Sequence, residues 1–394
     1  MHTMRRKLSV LTAVLAAGTV ALAGCGSSNT DAGASSNDSA TTGDTAGDTG
    51  APAGDGSTAG SGAAGSGDGA AGSGAAGSDS AGSGAAGSDA AGSGASSAAG
   101  SAGGAAGTDQ AGCDMTAGVK DASSMQADSE KSITIGSFSG WDESTATAYL
   151  MKNVLESDGY TVDVKTLDAA PAFVAAAKGD VDVLTDVWLP TTHKTYIDKY
   201  GDQLEPLGCW YDNAKLTIAV NSSSPAKSIE DLKSMAGEYN NTLVGIEPGA
   251  GETGVVKDTM IPAYGLQDIT FTTSSTSAML ASIVKAEKDK TNVAVTLWKP
   301  HWAYAAYDIR DLEDPKGAMG GKEGLWNYAT KGFEAKYPKA AQLFKNMIIP
   351  DADLSELEDL MTQKYDGKNP DAAVDEWLKG KPEFAKQLAA GELK

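Results

Sequence analysis

The stretch from Gly26 to about Gly112 cannot build a core. It is Gly, Ala, Ser, Thr and Asp with almost nothing else; no aromatic residue occurs in it and Pro52 is its one proline. A segment so poor in large apolar side chains does not bury enough surface to offset the entropy of ordering it, so disorder is the expectation. Short blocks recur, among them Ala70-Ala71-Gly72-Ser73-Gly74 and Ala85-Ala86-Gly87-Ser88-Asp89. None carries an apolar face on which a neighbour could stack, which argues against a solenoid. As a Gly-rich coil of 87 residues the stretch has a reach on the order of 50 Å. It reads as a leash, and whatever folds must lie beyond it.

Before the leash, Arg5, Arg6 and Lys7 precede an apolar, small-residue run from Leu8 to Ala23, closed by Leu22-Ala23-Gly24-Cys25. This is the order of a secretory signal, and the apolar run is short of the ~20 residues a membrane span needs. A cysteine directly after small residues resembles a lipoprotein lipobox. That resemblance implies a signal peptide over 1–24, a lipid on Cys25, and a protein held outside the cytoplasm on the cell membrane. The expected organisation is therefore signal 1–24, lipidated cysteine and linker 25–112, and a folded domain 113–394.

Regular structure is expected from about Ile133, where Ile133 and Ile135 alternate with Thr134 and Gly136. Ala146, Leu150, Met151, Val154 and Leu155 then recur at helical spacing, with Asp142 or Ser144 as the expected cap. Val162, Val164 and Leu167 predict a strand, Pro171 to Lys178 a helix, and Val181 to Leu184 another strand. Lys215 to Val220 reads as a further strand. A second alternating unit runs through Thr242 to Ile246, Glu252 to Ile261, Ser277 to Glu287 and Asn292 to Leu297. Alternation of this kind predicts an α/β fold with parallel strands and helices on their faces. Two lobes are expected, about 130–220 and 221–330, followed by a helical tail over 331–394 whose lobe is open.

The formal charge of the chain is −21, or −24 without Arg5, Arg6 and Lys7; the nine linker Asp account for nine of that, leaving the folded part near −15. Nucleic acid demands a basic footprint, so it is not an expected partner. Anionic lipid is disfavoured by the same sign. Cys25, Cys113, Cys209, His2, His193 and His301 are the only Cys and His, with no metal-ligand spacing among them. Neither a metal nor a cofactor is expected.

Three tryptophans stand just past strands, each beside a turn residue: Trp141 after Gly140, Trp188 before Pro190, and Trp298 before Pro300. Indole faces attract cations that lack hydrogen-bond donors, at roughly 0.5–2 kcal/mol per contact. Together the three suggest a box for a quaternary ammonium group. Trp302 is left open as a buttress to Trp298, while Trp210, Trp326 and Trp377 are assigned to the core. The Gly-rich run Gly245-Ile246-Glu247-Pro248-Gly249-Ala250-Gly251-Glu252 leads from a strand into a helix, where free backbone N–H groups hold anions. Its Gly249-x-Gly251-x-x-Gly254 is formally a dinucleotide fingerprint. Asp268 stands before the next strand rather than at its end, so a small carboxylate is the preferred anion. His193 is a candidate donor to it. Asp142 and Glu143 are adjacent, without the opposed geometry of a glycosidase, and no nucleophile motif occurs. An enzyme is not expected.

Gly140-Trp141-Asp142-Glu143, Trp188-Leu189-Pro190-Thr191-Thr192-His193, Gly245 to Gly251, and Trp298-Lys299-Pro300-His301-Trp302 together make residues 130–390 resemble the glycine betaine-type substrate-binding proteins of ABC importers. The resemblance implies a two-lobed, type II periplasmic-binding-protein-like fold with the ligand in the cleft between lobes. It implies a cation cage of Trp141, Trp188 and Trp298. The ligand carboxylate would be held by Gly251 and Glu252 backbone N–H groups and by His193. An ABC permease is the implied partner of a monomeric protein, with a ligand-sensing receptor module as the alternative. Glycine betaine is expected to bind more tightly than choline, which has no carboxylate. In an exported protein Cys113 and Cys209 are also candidates for a disulfide.

Overall fold

The computed structural model describes residues 112–394, all within one compact unit. The signal peptide, the lipidated Cys25 and the linker up to residue 111 lie outside the described residues. Those described form β1 (Ser132–Phe138), β2 (Thr161–Leu167), β3 (Val183–Leu189), β4 (Leu204–Asn221), β5 (Thr242–Val244), β6 (Thr270–Thr272), β7 (Ala294–Lys299), β8 (Ile309–Asp311) and β9 (Glu323–Thr330). Their order is β2-β1-β3-β9-β4-β7-β5-β6, with β8 also on β4.

Two strand–helix units of the same design stand at the two ends of this order. In the first, β1 lies between β2 and β3, both parallel to it. Helices α1 (Asp142–Ser157) and α2 (Ala169–Lys178) make the crossovers. In the second, β5 lies between β6 and β7, again parallel. Every residue of β3 is buried, which explains its near-continuous apolar sequence: a parallel strand covered on both faces has no side for water. The outer β2 instead buries Val162 and exposes Thr161 and Asp163.

Antiparallel strands join the units. The first part of β4, Leu204 to Ala214, pairs with β9, and the last part, from Lys215, pairs with β7 and β8. β9 also pairs with β3. This division differs from the one read in the sequence, which ended the first lobe near 220 and placed 323–330 in the second. By strand pairing the change of lobe falls inside β4, and β9 returns the chain to the first lobe. The C-terminal helices pack on that lobe too. Asn346 Nδ2 donates to the carbonyls of Lys120 (2.7 Å) and Leu388 (2.9 Å), and Asp128 accepts from the Lys339 N–H at 2.9 Å. Asn153 on α1 donates to Asp375 at 2.8 Å.

Neither Asp142 nor Ser144 caps α1. Trp141 takes the capping position in an extended conformation, and the Ser144 hydroxyl accepts from the Phe138 N–H at 2.8 Å. Cys113 and Cys209 are joined in a disulfide with their Cα atoms 5.5 Å apart, tying the first described residues to β4.

Candidate ligand-binding site

The ends of β1, β3 and β7 meet at one small cavity lined by Trp141, Glu143, Trp188, Thr192, Leu216 and Trp298. Strand ends of open α/β sheets are the usual place for a ligand. Gly140, with φ at +79°, turns the chain out of β1 in a conformation that side chains resist. Trp141 follows at once. Its ring packs edge-on to Phe138 at 4.9 Å and face to face with His193 at 5.6 Å, the planes within 6°. Trp298 reaches Trp141 from the other unit, at 6.0 Å between ring centres. Trp188 stands opposite Leu325 of β9, and Trp298 opposite Leu216 of β4. Trp188 and Trp298 thus each have an antiparallel neighbour fixing the height of the indole.

The β3 end is heavily tied. The Trp188 N–H donates to His193 Nδ1 at 2.9 Å, and the Trp188 carbonyl accepts from the His193 N–H at 3.0 Å. Trp188 Nε1 donates to Asp186 at 2.9 Å. Glu323, at the start of β9, accepts from the N–H groups of Thr191 (2.7 Å) and Thr192 (2.9 Å) and from the Thr192 hydroxyl. Sequence reasoning missed Glu323, because its partners lie more than a hundred residues away.

His193 is fully buried, and burial pushes its pKa down to about 3. It is therefore neutral at physiological pH. With Nδ1 accepting, the proton belongs on Nε2, and Nε2 has no hydrogen-bond partner among the described residues. The donor that the fold supplies is a neutral ring with one N–H free of partners among the described residues.

Gly251 approaches the same loop. A Cβ built there would fall 2.0 Å from the Thr192 carbonyl oxygen, so only glycine allows the Gly-rich loop this close. Tyr196 donates its hydroxyl to the Gly249 carbonyl at 2.5 Å, a second tie between the same segments. Ala250 caps the helix that Gly251 and Glu252 begin, and the first N–H groups of a helix have no intrahelical acceptor. Gly251, Glu252 and His193 are not themselves wall residues of the cavity; Thr192, which Gly251 touches, is.

Glu143 walls the cavity, and other carboxyls are its electrostatic neighbours. Burial raises Glu143 to about 8, and the nearby backbone and Trp298 indole N–H lower it only in part, since neither makes a hydrogen bond to its carboxyl oxygens. Asp142 rises to about 6 by burial, opposed by the indole N–H of Trp302 that donates to it. Trp302 thus reaches across to α1, besides stacking on His301 at 5.7 Å. Asp186 and Glu252 are raised as well, first by burial and then by the neighbouring Glu143. No signal in the sequence marked Glu143 as a wall residue, since a charged residue in a first helical turn ordinarily faces water. Among the described residues no group of three or more metal-ligating side chains occurs. No helix among them is long and apolar enough to cross a membrane.

Comparison with known proteins agrees with this architecture. Residues 131–380 match the family described as the substrate binding domain of ABC-type glycine betaine transport systems, and the chain belongs to that family. A glycine betaine/carnitine transport binding protein of Listeria monocytogenes serotype 1/2a (strain 10403S) is 35% identical over 153 residues, which cover 38% of this chain and 50% of the relative. The chain thus spans half the length of that relative. A glycine betaine/proline betaine-binding periplasmic protein of Escherichia coli (strain K12) is 26% identical over 60% of this chain and 83% of its own length. Among solved structures, lactococcal OpuAC in its closed, liganded conformation with glycine betaine superposes with a TM-score of 0.61. Its identity is 30%, covering 66% of this chain and 99% of that one. The mixed sheet flanked by helices is the periplasmic-binding-protein-like fold, and substrate-binding proteins of ABC importers are extracytoplasmic.

Proposed function

We propose that this protein is an extracytoplasmic lipoprotein that captures glycine betaine or a related quaternary ammonium osmolyte and delivers it to an ABC permease. The observation that carries the reading is the convergence of Trp141, Trp188 and Trp298 on one buried cavity. Cation–π attraction, about 0.5–2 kcal/mol for each ring and largest where water is excluded, selects a cation that needs no hydrogen bonds. At the other end of the ligand, His193 Nε2–H and the backbone N–H groups of Gly251 and Glu252 hold the carboxylate. Residues from both lobes contribute, so the ligand stabilises the closed form by contacts that the open form lacks. The relatives named above carry glycine betaine in their descriptions or in their bound state, which supports the same ligand class. Binding, not turnover, is the activity, and the lipid on Cys25 with the linker after it keeps the monomeric binding domain near its permease.

Titration of the full chain with glycine betaine and with choline, followed by tryptophan fluorescence and calorimetry, tests this. The betaine is expected to bind clearly more tightly than choline. Trp188→Ala is expected to weaken it by roughly a hundredfold, or about 2.7 kcal/mol, the loss of one buried anchor of the cage. Equal affinities for the two ligands would sink the two-ended site.

A further inference from the structure

Of the six residues that wall the cavity, one carries a carboxyl group: Glu143. It stands two residues after Trp141 in the first turn of α1. Its side chain is fully buried, and neither oxygen has a hydrogen-bond partner among the described residues. A bare buried carboxylate is costly, so such a group keeps its proton until something positive arrives. The electrostatic neighbours of Glu143 do not supply that charge. They are Asp142 on the same helix, Asp186 at the end of β3, Glu252 beside the Gly-rich loop, and Glu358 in the helix Asp351–Asp359. All four are acids. The imidazoles at the site, His193 and His301, are neutral. Lys152, further along α1, is engaged by Asp371 of the C-terminal helices.

We propose that cation capture in this cage is coupled to proton release, with Glu143 as the group that gives up the proton and then serves as the cage's counter-ion. The O–H bond of the carboxyl breaks heterolytically, the electron pair stays on the oxygen, and the proton passes to solvent. At the cation end one positive charge replaces another, and the aromatic faces and the carboxylate share the ammonium; the ligand carboxylate of a betaine is met separately, by the N–H donors at the other end of the site. The position of Glu143 in the first turn favours the anion further, because helix N-termini attract negative charge. The proposal rests on the reading of the cavity as a quaternary ammonium site and adds what the carboxyl does there. It assigns the cation end of the ligand, so choline and glycine betaine release the proton alike, whatever their difference at the carboxylate end.

Calorimetry on the full chain near pH 7, run in phosphate and again in Tris, decides it, because the two buffers take up protons with different heats. The measured enthalpies of glycine betaine binding are expected to differ between buffers by the amount that release of close to one proton requires. Affinity is expected to rise by up to about tenfold per pH unit while Glu143 is still protonated in the free protein. Glu143→Gln keeps the shape and removes the ionisation, so it is expected to bind with one enthalpy in both buffers and a flat pH profile. Equal enthalpies in the wild type with binding intact would overturn the coupling alone. Release that persists in Glu143→Gln would overturn the assignment to this residue. Absence of binding by either ligand would instead overturn the cage itself, and the coupling with it. Should the variant not fold, the buffer pair and the pH series on the wild type still decide whether a proton leaves.

Discussion

The β3 end and the β7 end are two answers to one design. Each closes a parallel three-strand unit, each puts a tryptophan in the cavity, and in each the following X–Pro bond is cis: Leu189-Pro190 and Lys299-Pro300. Each also holds a buried histidine whose Nδ1 accepts a backbone N–H, from Trp188 for His193 and from Ala303 for His301. What differs is how the two loops are held. The first is clamped by the buried Glu323 through backbone and hydroxyl donors. The second is tied by Lys299 to Asp311 of β8 at 2.7 Å, an ion pair whose lysine side chain is 44% exposed. The first lobe also has the disulfide and the C-terminal helices behind it. It is the more heavily tied half, and the second is the lighter one.

The largest expected effect concerns the more heavily tied half. Cys209→Ser opens a loop of 96 residues and is expected to cost about 2–5 kcal/mol of unfolding free energy; an unchanged urea midpoint would show that the first lobe does not depend on it. Next come the two clamps. Glu323→Ala strips the acceptor from donors at Thr191 and Thr192, an expected loss of about 2–3 kcal/mol together with weaker ligand binding. Asp311→Asn breaks a half-exposed pair and is expected to cost no more than about 1 kcal/mol. Similar losses for the two variants would erase the asymmetry.

The histidines give the smallest and sharpest contrast. His193→Gln is expected to weaken glycine betaine about tenfold, or ~1.4 kcal/mol, with choline little changed, as the loss of one hydrogen bond to a charged group predicts. His301→Gln is expected to leave this discrimination intact. Both imidazoles titrate near 3 in the fold against an ordinary value of 6.5. The unfolded chain therefore binds more protons between those values. The stability each neutral ring contributes is whole above about pH 6.5 and is lost on acidification, at up to about 1.4 kcal/mol per pH unit. Either substitution should blunt that acid loss equally in thermal melts, although only one changes the ligand range.

That Trp141, Trp188 and Trp298 meet at one cavity was legible because aromatic side chains beside Gly140, Pro190 and Pro300 at predicted strand ends are local facts. The parallel units were legible for a similar reason: β1 alternates Ile133 and Ile135 with small residues, and β3 and β7 are short, largely apolar segments bounded by turns and helices. β9 was not. Glu323-Gly324-Leu325-Trp326-Asn327-Tyr328 has neither strict alternation nor a continuous apolar run, and its pairing with β3 and β4 joins segments far apart in the chain. The first part of β4 was hidden in the same way by Pro206 and Gly208, and with it the change of pairing partners inside that strand.

By itself, then, the order of residues determined the α/β class and which indoles wait at strand ends. Those follow from composition and from periodicities of two and 3.6 residues, which operate over a few neighbours. Only tertiary structure decided the rest: that Glu143 walls the cavity, that Glu323 clamps the β3 loop, and that His193 is neutral with Nε2–H free. Burial of a charge is a property of everything packed around it. No window of sequence contains the groups that remove its water.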